Sequence, residues 1–251
     1  MDILQHAVEK LCNALRLNAE EAYKFDSLVK VDKEEAVANI DATFERVLET
    51  FHSLYDVSKN KIGLNFLEHS DTSLIIVLRN AIHHRDHPLF RSWHFVAADD
   101  AWSKRHYGAS LLLSNYDTFS PTKPYFIYYY KLMDLFDRLD PERNSDYQAL
   151  FPRKPEERSL MFKGMCESFG FEDILNNAAK ERYPLKQVYF NVYPILHSAL
   201  VRVFGALKAT DFEPKGYDTG VYIKHFSTEC IFNLKKPVFK RYYVQPIKCE
   251  E

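Results

Sequence analysis

Glycine is scarce in this chain, with seven in 251 residues, and residues 1–62 contain neither glycine nor proline. Without those breakers, a turn-rich β fold is a poor candidate and long helices are favoured. Long apolar runs are missing too. The most apolar stretch, Leu74 to Leu78, is five residues long, against roughly 18 or more for a membrane span. The first residues, Met1 to His6, lack the basic flank and apolar stretch of a signal peptide. The four cysteines, Cys12, Cys166, Cys230 and Cys249, are scattered. No two are close enough to suggest a metal knuckle or a redox pair, and scattered thiols fit a reducing compartment. These absences together set the expectation of a soluble, cytoplasmic protein that does not enter a membrane.

Other absences narrow the chemistry. The chain has no Gly-x-x-x-x-Gly-Lys loop, no Gly-x-Gly-x-x-Gly, no Gly-x-Ser-x-Gly elbow and no His-Glu-x-x-His. P-loop, dinucleotide-binding, α/β-hydrolase and zinc-helix readings therefore lack support. A formal net charge of −2 argues against nonspecific coating of nucleic acid, while leaving room for a local basic patch.

What is present is a helical chain rich in core-forming residues: 46% of residues are hydrophobic, with 19 Phe and 16 Tyr. Asp32 followed by Glu35 reads as a helix cap with its box partner. The helix after it carries Val37, Ile40, Phe44, Val47, Leu48 and Phe51 at spacings of three and four, which describe one buried stripe. A second helix is predicted from Asp71 through His84, stopped by Pro88. Tyr125 to Phe136, Glu156 to Glu181 and Leu185 to Ala209 are further predicted helices, with a kink or break at Pro194. Beyond residue 210 the texture changes. Val221 to Ile223, Glu229 to Phe232 and Pro237 to Val244 are short, aromatic and β-branched, as in a small hairpin or sheet. The expected fold class is mainly α, with a helical domain over 1–210. A C-terminal extension over 211–251, β in character, packs on the same domain.

One segment concentrates chemistry, Arg79-Asn80-Ala81-Ile82-His83-His84. On a helical wheel with Arg79 at zero, His83 falls near 40°, Asn80 near 100° and His84 near 140°. Leu74, Leu78, Ala81 and Ile82 fall between about 200° and 300°. One face is core, and the other gathers a guanidinium, an amide and two imidazoles. Such a group suits phosphodiester cleavage. An imidazole titrating near neutrality moves a proton at the attacking or leaving oxygen, and a guanidinium offers a fork of donors to the phosphate. A helix C-terminus stabilises an imidazolium, which favours an acid role for His84.

The pattern Arg-Asn-x-x-x-His at Arg79 to His84 resembles the motif of the HEPN-domain ribonucleases. The resemblance implies an all-helical bundle in which this helix faces a dimer cleft. It further implies metal-independent RNA cleavage that uses the 2′-hydroxyl as nucleophile and leaves a 2′,3′-cyclic phosphate, without any cofactor. Family members act as toxins, in phage defence and in RNA processing. RNA, a second copy of the chain and a cognate antitoxin or inhibitor are the partners implied. On this reading Arg79 binds phosphate, Asn80 orients and His84 is the acid/base, with His83 and His87 as auxiliary candidates.

Two other classes compete with the ribonuclease. One is a non-catalytic helical module that binds RNA or protein. The other is a metal-dependent phosphohydrolase built on His83, His84, Asp86 and His87, whose spacing matches no common ligand motif. Glu45 or Glu49 on the preceding helix could face the motif, though both read first as solvated surface. Trp93 and Trp102 read as core or interface anchors. The tail from residue 221 carries six basic residues against three acidic ones, interleaved with aromatics. That mixture suits single-stranded RNA and makes Lys235, Lys236, Lys240 and Arg241 binding candidates. A half-buried strand with a wet basic face has the same composition.

Overall fold

The computed structural model describes residues 2–84, 88–118, 127–140, 143, 154–210, 212–226 and 232–245. Within these the protein is mainly helical with one small four-stranded sheet. The glycine- and proline-free start forms two long helices, α1 (Ile3–Leu28) and α2 (Lys33–Ser58), paired through a tight turn. Asp32 caps α2, its carboxylate accepting from Glu35 N at 2.9 Å. The expected stripe of α2 is buried from Val37 to Phe51. At roughly 1.5–3 kcal/mol for each large apolar side chain taken from water, this stripe is a main anchor of the helix.

α3 (Ser70–His84) matches the predicted span and lies in the core, with Leu74 through Leu78, Ala81 and Ile82 all buried. Its first turn is tied to α2 through Phe66. That ring packs against Phe51 and Tyr55 of α2, each with centroids 5.4 Å apart. Its carbonyl accepts from the hydroxyls of Thr72 and Ser73 on α3. α4 (Trp93–Ala98) and α5 (Asp100–Arg105) follow a short 3-10 turn at Pro88–Phe90.

The sheet has the order β2-β3-β1-β4, formed by β1 (Ser110–Thr118), β2 (Tyr129–Lys131), β3 (Val188–Asn191) and β4 (Phe232–Tyr243). β1 and β3 are parallel; β4 runs antiparallel to β1 and β2 antiparallel to β3. Leu112, Tyr116, Val188 and Phe190 belong to the main helical core. Leu111, Leu113 and Tyr189 form a second cluster with Trp93, Tyr129 and Val244. The sheet is thus packed on both faces, and Trp93 is the anchor of the smaller one.

The remaining elements depart from the sequence-based expectations in instructive ways. Tyr129–Lys131 is strand rather than helix, and the helix there is only α6 (Leu132–Leu139). The consecutive tyrosines suit a pleated surface paired to β3, and Tyr128 N donates to Asn191 Oδ1 at 2.9 Å. Tyr125 and Phe126 lie outside the described residues. The stretch 156–181 divides into α7 (Pro155–Ser168) and α8 (Phe171–Lys180) at Gly170, whose φ is 59°. A Cβ there would sit 2.9 Å from Lys235 O and 2.8 Å from Pro237 Cδ, so only glycine lets β4 approach. The stretch 185–209 holds β3 before α9 (Tyr193–Lys208), and Pro194 sits in the first turn of α9, where it breaks nothing. Val221 to Ile223 is helical, inside α10 (Tyr217–Phe226), because packing of Phe226 on Phe204 and of α10 on α1 outweighs β propensity. Pro237 to Val244 largely matches the strand expectation, but it forms the sheet edge beside β1 rather than a hairpin of its own. Pro237 is tolerated at such an edge. Glu229, Cys230 and Ile231 lie outside the described residues.

Candidate functional site

α3 delivers the motif at its C-terminal end. Arg79 and Asn80 are half-buried and His83 and His84 are exposed, while Ala81 and Ile82 point into the core. The polar face is therefore mounted on a helix packed on its other sides, an arrangement that limits its freedom to move. Arg79 Nη1 donates to Asn80 Oδ1 at 3.3 Å. The amide thus steadies the guanidinium rather than His84. Arg79 Nε is buried and has no acceptor among the described residues. The two imidazoles stand edge to face with centroids 5.2 Å apart. His87, the other auxiliary candidate, lies outside the described residues, as do Arg85 and Asp86.

The neighbouring helix presents a histidine that sequence reading did not single out. His52 on α2 is half-buried and its Nδ1 lies 3.2 Å from Asp56 Oδ2. Burial lowers the pKa of His52, and the nearby positive charge of Arg79 lowers it further. The available signal was the i,i+4 spacing of His52 and Asp56 on an otherwise amphipathic helix. Measured along α2, Glu34, Asp41 and Glu45 fall within about 20° of His52, so one polar line runs the length of the helix.

Further along that line sits a second polar cluster. Asp41 accepts from Ser92 Oγ at 2.8 and 2.9 Å and from the Tyr128 hydroxyl. Burial and the charge of Glu45 push its carboxyl up to about 6, the two donated hydrogen bonds holding it from rising more. Asp41 and Glu45 line a groove of about 490 Å³ with Glu34, Asp99, Arg91 and the half-exposed Phe95, over a floor that includes Val37, Ala38 and Ala42. Of the two acids considered from sequence, Glu45 lines this groove and Glu49 is exposed.

The basic tail candidates are elsewhere. Lys235, Lys236, Lys240 and Arg241 are all exposed on β4, the sheet edge, beside the exposed Phe239 and Tyr243. Arg241 is tied to Glu181, Nε to Oε2 at 3.0 Å. Lys235 borders a cavity with His69, Ser70 and Asp71 at the N-terminal end of α3. His84 closes the other end of that helix, about 20 Å away along its axis. Lys235 is therefore set at the opposite end of α3 from His84, with Lys240 and Arg241 further along β4.

Among the described residues no three His, Cys, Asp or Glu side chains are arranged to hold a metal ion. None of the described helices is long and apolar enough to cross a membrane. No protein-family model, no curated protein and no solved structure matches this chain significantly.

Proposed function

We propose that the chain is a metal-independent endoribonuclease of the HEPN type, built on an HEPN-like helical bundle. The observation that carries this reading is the placement of Arg79, Asn80, His83 and His84 on one accessible face of α3, whose opposite face is wholly buried. A substrate phosphate beside Arg79 meets a half-buried guanidinium steadied by Asn80. The RNA 2′-oxygen attacks phosphorus as its proton passes to water, the bond from phosphorus to the 5′-oxygen breaks, and a 2′,3′-cyclic phosphate remains. His84, at the helix C-terminus, protonates the departing 5′-oxygen. Charge that builds on the phosphate in the transition state is met by Arg79. The motif face is expected to look across a homodimer cleft, and an effector role in defence or toxicity, restrained by a cognate inhibitor, follows from the same reading.

The test is cleavage of a labelled RNA pool in the presence of chelator by wild type, Arg79→Ala and His84→Ala. Cutting by wild type alone supports the proposal, with Asn80→Ala showing a smaller loss. Equal activity of all three proteins removes these residues from the chemistry. A second reading, a helical module that binds without cutting, draws support from the groove beside Asp41. It gains ground if wild type is inert towards RNA and His84→Ala leaves partner binding unchanged.

A further inference from the structure

We propose that the groove between α2 and α4 is a docking site for an amphipathic helix of a partner protein, with apolar anchors along one face and Lys or Arg at both ends of that face. No residue of the groove belongs to the motif on α3. This role therefore goes beyond the ribonuclease reading and does not depend on it.

The sequence of α2 sets out one wall. Glu34, Val37, Ala38, Asp41, Ala42 and Glu45 recur at steps of three and four, so they form a single stripe along the helix. At a rise of about 1.5 Å per residue the stripe is about 16 Å long. The other wall is α4. Ser92, which caps the start of α4, donates to Asp41, and Asp100, just past its end, is paired with Lys33 at the start of α2. The two helices are therefore antiparallel, and Phe95, Ala98 and Asp99 look onto the stripe. Between the walls lies a space of about 490 Å³. The alanines at 38, 42 and 98 leave room that larger side chains of a partner can fill. Phe95 is 50% exposed on the rim, a ring without cover.

Charge selects the occupant's chemistry. Glu34 and Asp99 lie at one end of the groove and Asp41 and Glu45 at the other, against the single guanidinium of Arg91 among the lining residues. Arg91 itself lies over the Phe95 ring, 5.8 Å from its centroid. Four acidic side chains against one cation repel a phosphate backbone and attract a basic partner. The walls select its conformation. Along this stretch α2 spends its backbone groups in its own helix, so an added strand finds no ladder to join. A helix brings its own hydrogen bonds and sets its side chains one turn apart against the walls. A length of about 16 Å takes three helical turns, enough for apolar side chains at i, i+3 or i+4, and i+7 between a cation at each end. Phe95 is the anchor on which those apolar side chains close.

The experiment titrates the full chain into a labelled helix-forming peptide of about four turns, with Lys in its first and last turns and Leu at i, i+3 and i+7 between them. Binding is read by fluorescence anisotropy and located by amide chemical shifts. The controls are the same peptide with Glu for every Lys, a shuffled peptide whose leucines no longer share a face, and a single-stranded RNA. The variants are Ala42→Arg, which fills the floor and reverses its charge from an exposed position, and Phe95→Ala, with thermal melts as the check on folding. Wild type is expected to bind the basic peptide saturably, with shifts centred on Val37, Ala42 and Phe95, and more weakly as salt is raised. Ala42→Arg, the acidic peptide and the shuffled peptide should each lose about tenfold or more in affinity, and Phe95→Ala several-fold. Equal binding by wild type and Ala42→Arg, equal binding of the basic and shuffled peptides, or no binding by wild type overturns the proposal. So does RNA that displaces the peptide, or a wild-type dimer that Ala42→Arg makes monomeric, since the occupant is then RNA or a second copy of the chain. Cleavage of RNA is not the readout, so failure here leaves the ribonuclease reading standing.

Discussion

Replacing Asp41 by Asn should reshape the pH dependence of stability in a calculable way. In the folded protein this carboxyl is pushed up to about 6 from an ordinary 3.8, chiefly by burial. A raised carboxyl binds its proton more tightly in the folded state, so the stability it contributes is present at low pH. That contribution is lost as pH rises from about 4 through about 6. A difference of some two pH units is worth roughly 3 kcal/mol. His94 and His197 act with the opposite sign. Each is held near 4, mainly by burial, so each loses stability as pH falls below the ordinary histidine value. Those contributions are common to both proteins and cancel in the difference. Urea unfolding of wild type and Asp41→Asn at intervals between pH 4 and 7.5 should show the wild-type advantage shrinking by roughly 2.5 kcal/mol, the greater part of that contribution, and then levelling. The curve will be offset by a constant, because Asn has one acceptor oxygen for the Ser92 and Tyr128 donors. A difference that is flat, or that grows with pH, would show that Asp41 is not held as a desolvated carboxyl.

Two further substitutions probe the frame around the site. Asp71 is buried at the start of α3 and is gripped by Arg202, Nε to Oδ1 at 3.0 Å, and by Ser198 Oγ at 2.7 Å. Arg202→Ala strands that carboxylate and should cost about 3–5 kcal/mol by urea unfolding, whereas Asp71→Asn leaves a partly exposed guanidinium that water can serve and should cost at most half as much. Equal losses would mean that burial of Asp71 is not what makes the pair matter. Gly170→Ala combines a left-handed φ with a Cβ under 3 Å from Lys235 O and Pro237 Cδ. It should cost about 2 kcal/mol or more, seen as a melting temperature lowered by about 5 °C or more, and an unchanged melting temperature would contradict the close approach.

The parts of the fold legible in sequence were those fixed by local periodicity. Residues 1–62 hold no breaker and 32–51 carry a clear 3.6-residue stripe, so α2 and α3 emerged close to their observed spans. The strands were harder because each is short and buried on partners remote in sequence. Val188–Asn191 reads like the start of the helix that follows it until its parallel pairing with β1 is known. The tail strand was readable from its β-branched and aromatic texture, but its neighbour β1 lies more than a hundred residues earlier, and no local pattern reports that. The same division governs the site. Arg79 to His84 sit on one helix, and a wheel sorts them; His52 and Asp41 come from the adjacent helix, and their company is a tertiary fact. The hydrogen bonds from Ser92 and Tyr128 that restrain the buried Asp41 carboxyl come from two stretches of chain remote from α2.

The most direct test of the central claim is the chemistry of the product ends. Wild type, Arg79→Ala and His84→Ala are each incubated with a labelled RNA and with its 2′-O-methyl counterpart, chelator present, and the 3′ ends are identified. The account predicts that only wild type cuts, only the unmodified RNA is cut, and the new 3′ ends carry a 2′,3′-cyclic phosphate. Cleavage of the methylated strand, or wild-type activity retained in His84→Ala, would contradict it.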